Sequence, residues 1–370
     1  MKFFTRKILT GSKRRPFVLF NSTSFFAIMV LVSALLLSGC NFGTSYSVNA
    51  VDNEAESTSY IMSTMVTQRW YGDKAKDTCK EIEKALQEFE NETSLYIEES
   101  EISAINEAAG KEYVKVSDEM FDVLKQSKQL CEESGGDFDI TVGPLVLLWN
   151  INGQDGDPRV PSQSEIDEAL EKVDYEKLLL NEDDKSVMLA EEGMKIDLGG
   201  DGKGYATALM RSIVEKNEVE GFLSVGGNML VIGKNPEGED FNIGIRDPLK
   251  DANSYFATIN IDGYTMATSS AAEIFFEEDG VKYHHILDPK TGYPGDSDLL
   301  QVTVVSEDGL LADALSTTIF IKGSECLDEY MNRDDCMVLA VTQDKEVYAS
   351  EGIWDRLSPV YDSGYTFNEE

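Results

Sequence analysis

The chain of 370 residues carries 32 Lys and Arg against 68 Asp and Glu, a formal net charge of −36 with a pI near 4.3. That balance excludes a nucleic-acid-binding role built on a basic surface, because phosphate backbones recruit Lys and Arg in excess. With 42% hydrophobic residues, 29 Gly and 9 Pro, the composition is that of a globular protein and not of a disordered, collagenous or repeat chain.

The first forty residues differ in kind from the rest. Lys2, Arg6, Lys7, Lys13, Arg14 and Arg15 form a basic stretch without an acid, and an apolar run follows from Phe25 to Leu37, interrupted only by Ser33. The run is short for a membrane span and has the length of a signal-peptide core. It closes on Leu37-Ser38-Gly39-Cys40, small residues before a cysteine, and so resembles a bacterial lipoprotein signal. The resemblance implies a signal peptide over 1–39, cleaved before Cys40, and a lipid on the Cys40 sulfur. A plain signal anchor with an incidental cysteine is the competing reading. Residues 40–59 are polar without hydrophobic periodicity and read as a flexible tether. Residues 60–370 read as one domain. A single lipid holds a protein at a membrane without spanning it, so the expected location is the extracytoplasmic face of the bacterial cell membrane. Such an acidic body is not expected to lie flat on anionic lipid.

From residue 60 onward the pattern predicts mixed α and β structure. A strand is expected over 60–71 and a helix over 74–89, with Cys79, Ile82, Leu86 and Phe89 at helical spacing. A second helix is expected over 118–134, with Ser117 as N-cap and Gly135-Gly136 as its stop. Ser162-Gln163-Ser164-Glu165 has the form of a capping box opening a short helix to Lys172. Short strands are expected over 177–180, 187–189 and 194–198, then a helix over 204–216. Further strands are expected over 222–232, 241–245, 254–261 and 264–268, the last two joined as a hairpin by Asp262-Gly263. A second hairpin, 274–276 with 283–287, turns at Asp279-Gly280. A strand over 299–305, a helix over 311–321 and a strand over 337–341 complete the series. Hairpins outnumber βαβ units, so the expected fold class is α+β, a single compact domain with largely antiparallel sheets and packed helices. Of the five cysteines, Cys79 and Cys131 fall on apolar helix faces and read as buried thiols. Cys326 and Cys336 are close enough in sequence that a disulfide outside the cell is open to them.

Four turns carry the candidate chemistry. Gly135-Gly136-Asp137-Phe138-Asp139 is a loop whose backbone can approach a ligand closely. Asp197-Leu198-Gly199-Gly200-Asp201-Gly202-Lys203-Gly204 runs from a predicted strand into a helix, an arrangement that offers backbone amides and a lysine to phosphate. It has neither Walker-loop nor dinucleotide-fingerprint spacing. Tyr283-His284-His285-Ile286-Leu287-Asp288-Pro289 holds the chain's two histidines. Adjacent residues on a strand face opposite ways, so one of the pair is expected to be structural. Asp313 and Thr317 share a face on a helix and can supply oxygen ligands to a hard cation. Taken singly, each motif also has a bland reading as a turn, a packed histidine or a surface pair.

In order along the chain, GGDFDITVGPLVLLW, IDLGGDGKGYA, LSVGGNML, HHILDPKTGYP and ADALSTTIFIKG resemble the FAD:protein FMN transferase (ApbE) family, over roughly residues 60 to 350. The resemblance implies a single-domain α+β enzyme that binds FAD and Mg²⁺. Such an enzyme splits the pyrophosphate of FAD and joins FMN to a Thr or Ser hydroxyl of an extracytoplasmic redox protein, releasing AMP. It implies Met62, Tyr96, Asp137, Phe138, Asp139, Asp197, Lys203, Leu287 and Ser316 as FAD-binding positions. It further implies Gly200 (through its carbonyl), Asp313 and Thr317 as metal ligands and His285 as catalytic base. Cleaving a phosphoanhydride needs charge neutralisation, which a hard cation supplies, and an acceptor hydroxyl needs a base such as imidazole. Three positions depart from the family pattern: Asp201 in place of an apolar residue, Ser270 in place of glycine, and His284 in place of a small residue. Two alternatives stay open, an FAD pyrophosphatase that gives FMN and AMP to water and an FAD-binding lipoprotein without chemistry.

Overall fold

Strands form the centre of the molecule, alternating in burial at Glu220–Val225 and buried on both faces at Leu299–Ser306. The computed structural model describes residues 45–49, 53–154, 156–251 and 253–369; the expected signal peptide and Cys40 lie outside these. Among the described residues ten strands make one sheet and lie side by side in chain order. They are β1 (Ser45–Asn49), β2 (Glu54–Ile61), β3 (Thr64–Tyr71), β4 (Glu220–Val225) and β5 (Asn228–Ile232), then β6 (Tyr264–Ser270), β7 (Leu299–Ser306), β8 (Met337–Thr342), β9 (Glu346–Ala349) and β10 (Thr366–Phe367). Every neighbouring pair is antiparallel except β9 and β10. The fold class is thus α+β with largely antiparallel sheets, as the hairpin-rich pattern predicts.

The two faces of this sheet carry different layers, and successive residues supply them in turn. In β8, Val338 and Ala340 pack with helix residues Ala312, Leu315 and Ile319, while Leu339 and Val341 pack with Ile243, Phe256 and Ile259 of a small sheet. That small sheet orders Leu357–Pro359, Tyr255–Asn260 and Asn242–Arg246, which leaves Asn242–Arg246 at its edge. The helices are α1 (Ala75–Thr93), α2 (Glu101–Glu107), α3 (Asp118–Ser134), α4 (Gly143–Trp149), α5 (Gln163–Leu170), α6 (Gly202–Asn217), α7 (Gly309–Lys322), α8 (Leu327–Met331) and α9 (Glu351–Trp354), of which α9 packs on the small-sheet side through Ile353. Helix α3 starts and ends where the sequence signals it: the Ser117 hydroxyl accepts the Met120 N–H, and Gly135 is left-handed at φ 65°. The capping box at Ser162 forms with Glu165.

Several expectations are corrected. The strand over 60–71 is a hairpin, because Met62 and Ser63 both take left-handed backbone (φ 54° and 56°) and turn β2 into β3. Strand β2 begins at Glu54, inside the stretch read as a tether. The strand over 222–232 breaks at Gly226 and Gly227 (φ 51° and 98°) into β4 and β5. Asp262-Gly263 does not close a hairpin, since the strands on either side of it join different sheets. Residues 194–198 make only one bridge, Lys195 with Val142, in place of a strand. Cys326 and Cys336 are free, buried thiols and form no disulfide; Cys79 and Cys131 are buried as expected. The Asp279-Gly280 hairpin forms, pairing Phe275–Glu278 with Val281–His284. Among the described residues no helix is long and apolar enough to cross a membrane.

One packing detail positions the site. Helices α6 and α7 cross at Gly204 and Gly309, where a Cβ on Gly204 would lie 2.1 Å from the Gly309 carbonyl oxygen. Only glycine on both helices allows that approach, and it brings the Asp313 carboxylate onto the first turn of α6, where Oδ2 accepts the Gly204 N–H at 2.8 Å.

Candidate functional site

A cleft of about 810 Å³ opens where the β2–β3 turn, the end of α1, the loop after α3, the start of α6, the edge strand Asn242–Arg246, the His-bearing segment after Val281–His284 and the inner face of α7 meet. Met62, Tyr96, Asp137, Phe138, Asp139, Asp197, Gly200, Lys203, His285, Leu287, Asp313 and Thr317 all line it. Ser316 does not: its buried hydroxyl donates to the Asp313 carbonyl at 2.8 Å and lies 2.8 Å from the Ser269 hydroxyl. Helical geometry turns Ser316 away from the face that Asp313 and Thr317 share.

The acids of the cleft have distinct environments. Asp137 is held by Lys290 at 2.6 Å and Lys322 at 3.2 Å, so two cations already balance it. Asp139 is buried and organises its own loop, accepting the Thr141 N–H and hydroxyl at 2.7 Å each and the Tyr175 N–H at 3.0 Å. Its contribution at the cleft is to shape the loop that presents Phe138. Burial pushes Asp197 and Asp313 up from the usual carboxylate range, against the nearby Lys203 ammonium. Lys203 itself is anchored by donating to the Gly199 carbonyl at 2.9 Å.

Asp201, the acid that stands in place of an apolar residue of the family pattern, is fully buried and does not line the cleft. Burial pushes its carboxyl up to about 8, so it is largely protonated at neutral pH. Ser270 lines the cleft, with its hydroxyl engaged by donating to the Leu300 carbonyl at 3.0 Å.

The two histidines separate as the alternation predicts, although strand pairing stops at His284. His284 is buried, its Nε2 is 3.0 Å from the Gly295 carbonyl, and its ring meets Phe320 edge-on. His285 lines the cleft, with Nδ1 3.3 Å from the Ile274 carbonyl. A carbonyl only accepts, so Nδ1 carries the proton and Nε2 is left as the basic nitrogen. Burial, and then the Lys203 charge, lower this imidazole to about 4.

Among the described residues no three His, Cys, Asp or Glu side chains come together as a metal cluster. Asp313, Thr317 and the Gly200 carbonyl offer one carboxylate, one hydroxyl and one carbonyl. Such hard oxygens suit a hydrated Mg²⁺ and not zinc. The Asp313 carboxylate, buried and given one backbone N–H, is a group a cation would stabilise. Three charged residues on the wall were not singled out by sequence, Glu90, Arg246 and Glu273. None stands in a motif; the only signal for Arg246 is its place at the end of an alternating strand before Asp247-Pro248.

A model described as the ApbE family matches residues 42–340. The FAD:protein FMN transferase of Klebsiella pneumoniae (strain 342) is 34% identical over 283 residues, 76% of this chain and 86% of that protein. That of Treponema pallidum (strain Nichols) is 32% identical over 296 residues, covering 75% and 80%. The crystal structure of the ApbE protein of Thermotoga maritima superposes with a TM-score of 0.76 at 32% identity, covering 84% of this chain and 99% of that one.

Proposed function

The chain belongs to the ApbE family, and on that premise we propose that it is an FAD:protein FMN transferase that moves FMN from FAD onto a Thr or Ser hydroxyl of a partner protein and releases AMP. The observation that carries this reading is that twelve of the thirteen positions the family resemblance implies, all but Ser316 and drawn from six separated stretches, line one cleft.

In this reading the acceptor hydroxyl gives its proton to His285 Nε2 while its oxygen bonds to the phosphorus of the FMN half. The bond from that phosphorus to the AMP phosphate oxygen breaks, and AMP leaves with the electron pair. The product is a phosphodiester between acceptor and FMN, and the proton passes from the imidazole to water. Because His285 is lowered to about 4, it is neutral and able to accept at physiological pH. Lys203 sits among Asp197, Asp313 and Glu273 as a positive charge for the pyrophosphate. Mg²⁺, held by Asp313, Thr317 and the Gly200 carbonyl, would supply charge neutralisation on the phosphates. Asp137 and Asp197 serve the ribose and adenine end.

The test is incubation of the purified protein with FAD, Mg²⁺ and a candidate redox acceptor domain. Flavin fluorescence that stays with the acceptor through denaturing electrophoresis is the expected result. AMP and free FMN in equal amounts, with no labelled acceptor, would replace transfer by hydrolysis.

The same reading places the enzyme outside the cytoplasm on a lipid attached to Cys40, supported by Leu37-Ser38-Gly39-Cys40 after an apolar core. Cys40→Ser is expected to move the protein from the membrane fraction to the soluble one after cell fractionation. A mutant that stays on the membrane with its signal uncleaved would refute lipid anchoring.

A further inference from the structure

The chain has far more acids than bases, and among the described residues every arginine but one is engaged. Arg69 pairs with Glu54 and Glu56, Arg159 with Glu165, and Arg333 with Asp335. Arg211 donates to the Glu307 carbonyl and Arg356 to the Gly352 carbonyl. Among the described residues Arg246 is the one arginine with no hydrogen-bond or ion-pair partner, and it lines the cleft.

The fold holds Arg246 in that condition. It is the last residue of the edge strand Asn242–Arg246, whose burial alternates, with Ile243 and Ile245 inward and Arg246 outward. The next residue, Asp247, would be its obvious partner but points to the opposite side. Asp247 is buried, accepts the Tyr365 hydroxyl at 2.7 Å and the Leu249 N–H at 3.0 Å, and pairs with Lys250 at 3.0 Å. The backbone there is pinned by the Asp247 N–H donating to the Ser254 carbonyl at 2.9 Å. The Asp247 carboxylate is thus committed elsewhere and the guanidinium is left to the cleft. Glu273, also on the wall, lies within the electrostatic reach of both Arg246 and Lys203, so the two cations face a common space.

We infer that Arg246 is a second phosphate-binding cation of this cleft, opposing Lys203 across the pyrophosphate of the dinucleotide. The inference rests on the transferase reading for the identity of the ligand, and it assigns to that ligand a residue that no motif marked. A guanidinium presents paired N–H donors that match two phosphate oxygens, which an ammonium cannot do. Two cations facing the pyrophosphate reduce the repulsion an acidic chain exerts on it.

The experiment is titration of the full-length protein with FAD in the presence of Mg²⁺, read by flavin fluorescence, for wild type, Arg246→Gln and Arg246→Lys. Arg246→Gln is expected to weaken FAD binding by about ten- to a hundredfold, the range for a charged hydrogen-bonding pair. Arg246→Lys keeps the charge without the fork and is expected to fall between the two. The thermal midpoint is expected to be unchanged, because the side chain is exposed and touches no partner. Unchanged FAD affinity in Arg246→Gln overturns the inference. So does an equal loss in both variants with a lowered midpoint, which would make Arg246 a packing residue of the wall. A wild-type protein that does not bind FAD overturns the transferase reading itself, a result separate from either of these.

Discussion

Asp313→Ala is expected to lower transfer by about 10³ or more, the scale of several kcal/mol of lost charge stabilisation in phosphoryl transfer. Two roles converge on this carboxylate. Its Oδ2 accepts the Gly204 N–H at the glycine crossing of α6 and α7, and it faces the cleft with Thr317 one turn along the same helix. Alanine removes both. Asp313→Asn keeps an oxygen for the Gly204 N–H and removes only the charge, so it is expected to fold with nearly wild-type stability and lose almost as much activity. FAD binding is expected to survive in weakened form, since Lys203 and the Asp137–Asp139 loop remain. The measurement is transfer rate against Mg²⁺ concentration together with urea unfolding of both variants. Wild-type activity of Asp313→Ala at low Mg²⁺ would remove the residue from the metal site.

His285→Ala is expected to reduce transfer by about 10² to 10⁴, the usual range for a positioned general base. FAD affinity is expected to change little, because a neutral imidazole is not needed to hold the dinucleotide. The pH profile carries the sharper test. A base must be unprotonated to act, so kcat/KM rises with pH through the free-enzyme value and is level above it. From its residue type alone, His285 is expected to titrate in the ordinary imidazole range. Burial in the cleft wall and the Lys203 charge move it to about 4, so the limb is expected there, with a plateau through neutrality. His285→Ala is expected to lose that limb. His284→Ala is expected to act on stability instead, because His284 is buried against Phe320 and the Gly295 carbonyl. Equal activity loss in both variants would assign the pair a packing role, and a fully active His285→Ala would make Asp288 the next candidate base.

Local signals in the sequence were sufficient where the structure depends on neighbouring residues. Ser117 with Gly135, the box at Ser162 and the Asp279-Gly280 turn act through bonds only a few residues long, and each forms. Pairing of distant strands was not legible in the same way. Asp262-Gly263 has hairpin chemistry, yet Tyr255–Asn260 buries Phe256 and Ile259 against one face of the main sheet while β6 enters the sheet itself. Tertiary burial outweighs turn propensity there. The break at Met62-Ser63 was missed because both residues are non-glycine in left-handed backbone, a conformation their side chains do not advertise.

For the site, residue types and their order are readable from the chain alone: a glycine-rich turn, a histidine pair, and an Asp–Thr pair at helical spacing. Covalent order and helical periodicity suffice for that. Folding sets which of them share a space and in what electrical state. Ser316 leaves the cleft because its neighbours on the helix take the inner face. Asp201 and Asp197, in the same glycine-rich turn, part ways, one fully buried beneath the cleft and one on its wall. Arg246 enters the site because a strand far from the motifs ends at its rim with Asp247 turned inward. Charge state and company depend on burial and on through-space neighbours, and neither quantity is a property of a residue's position in a list of letters.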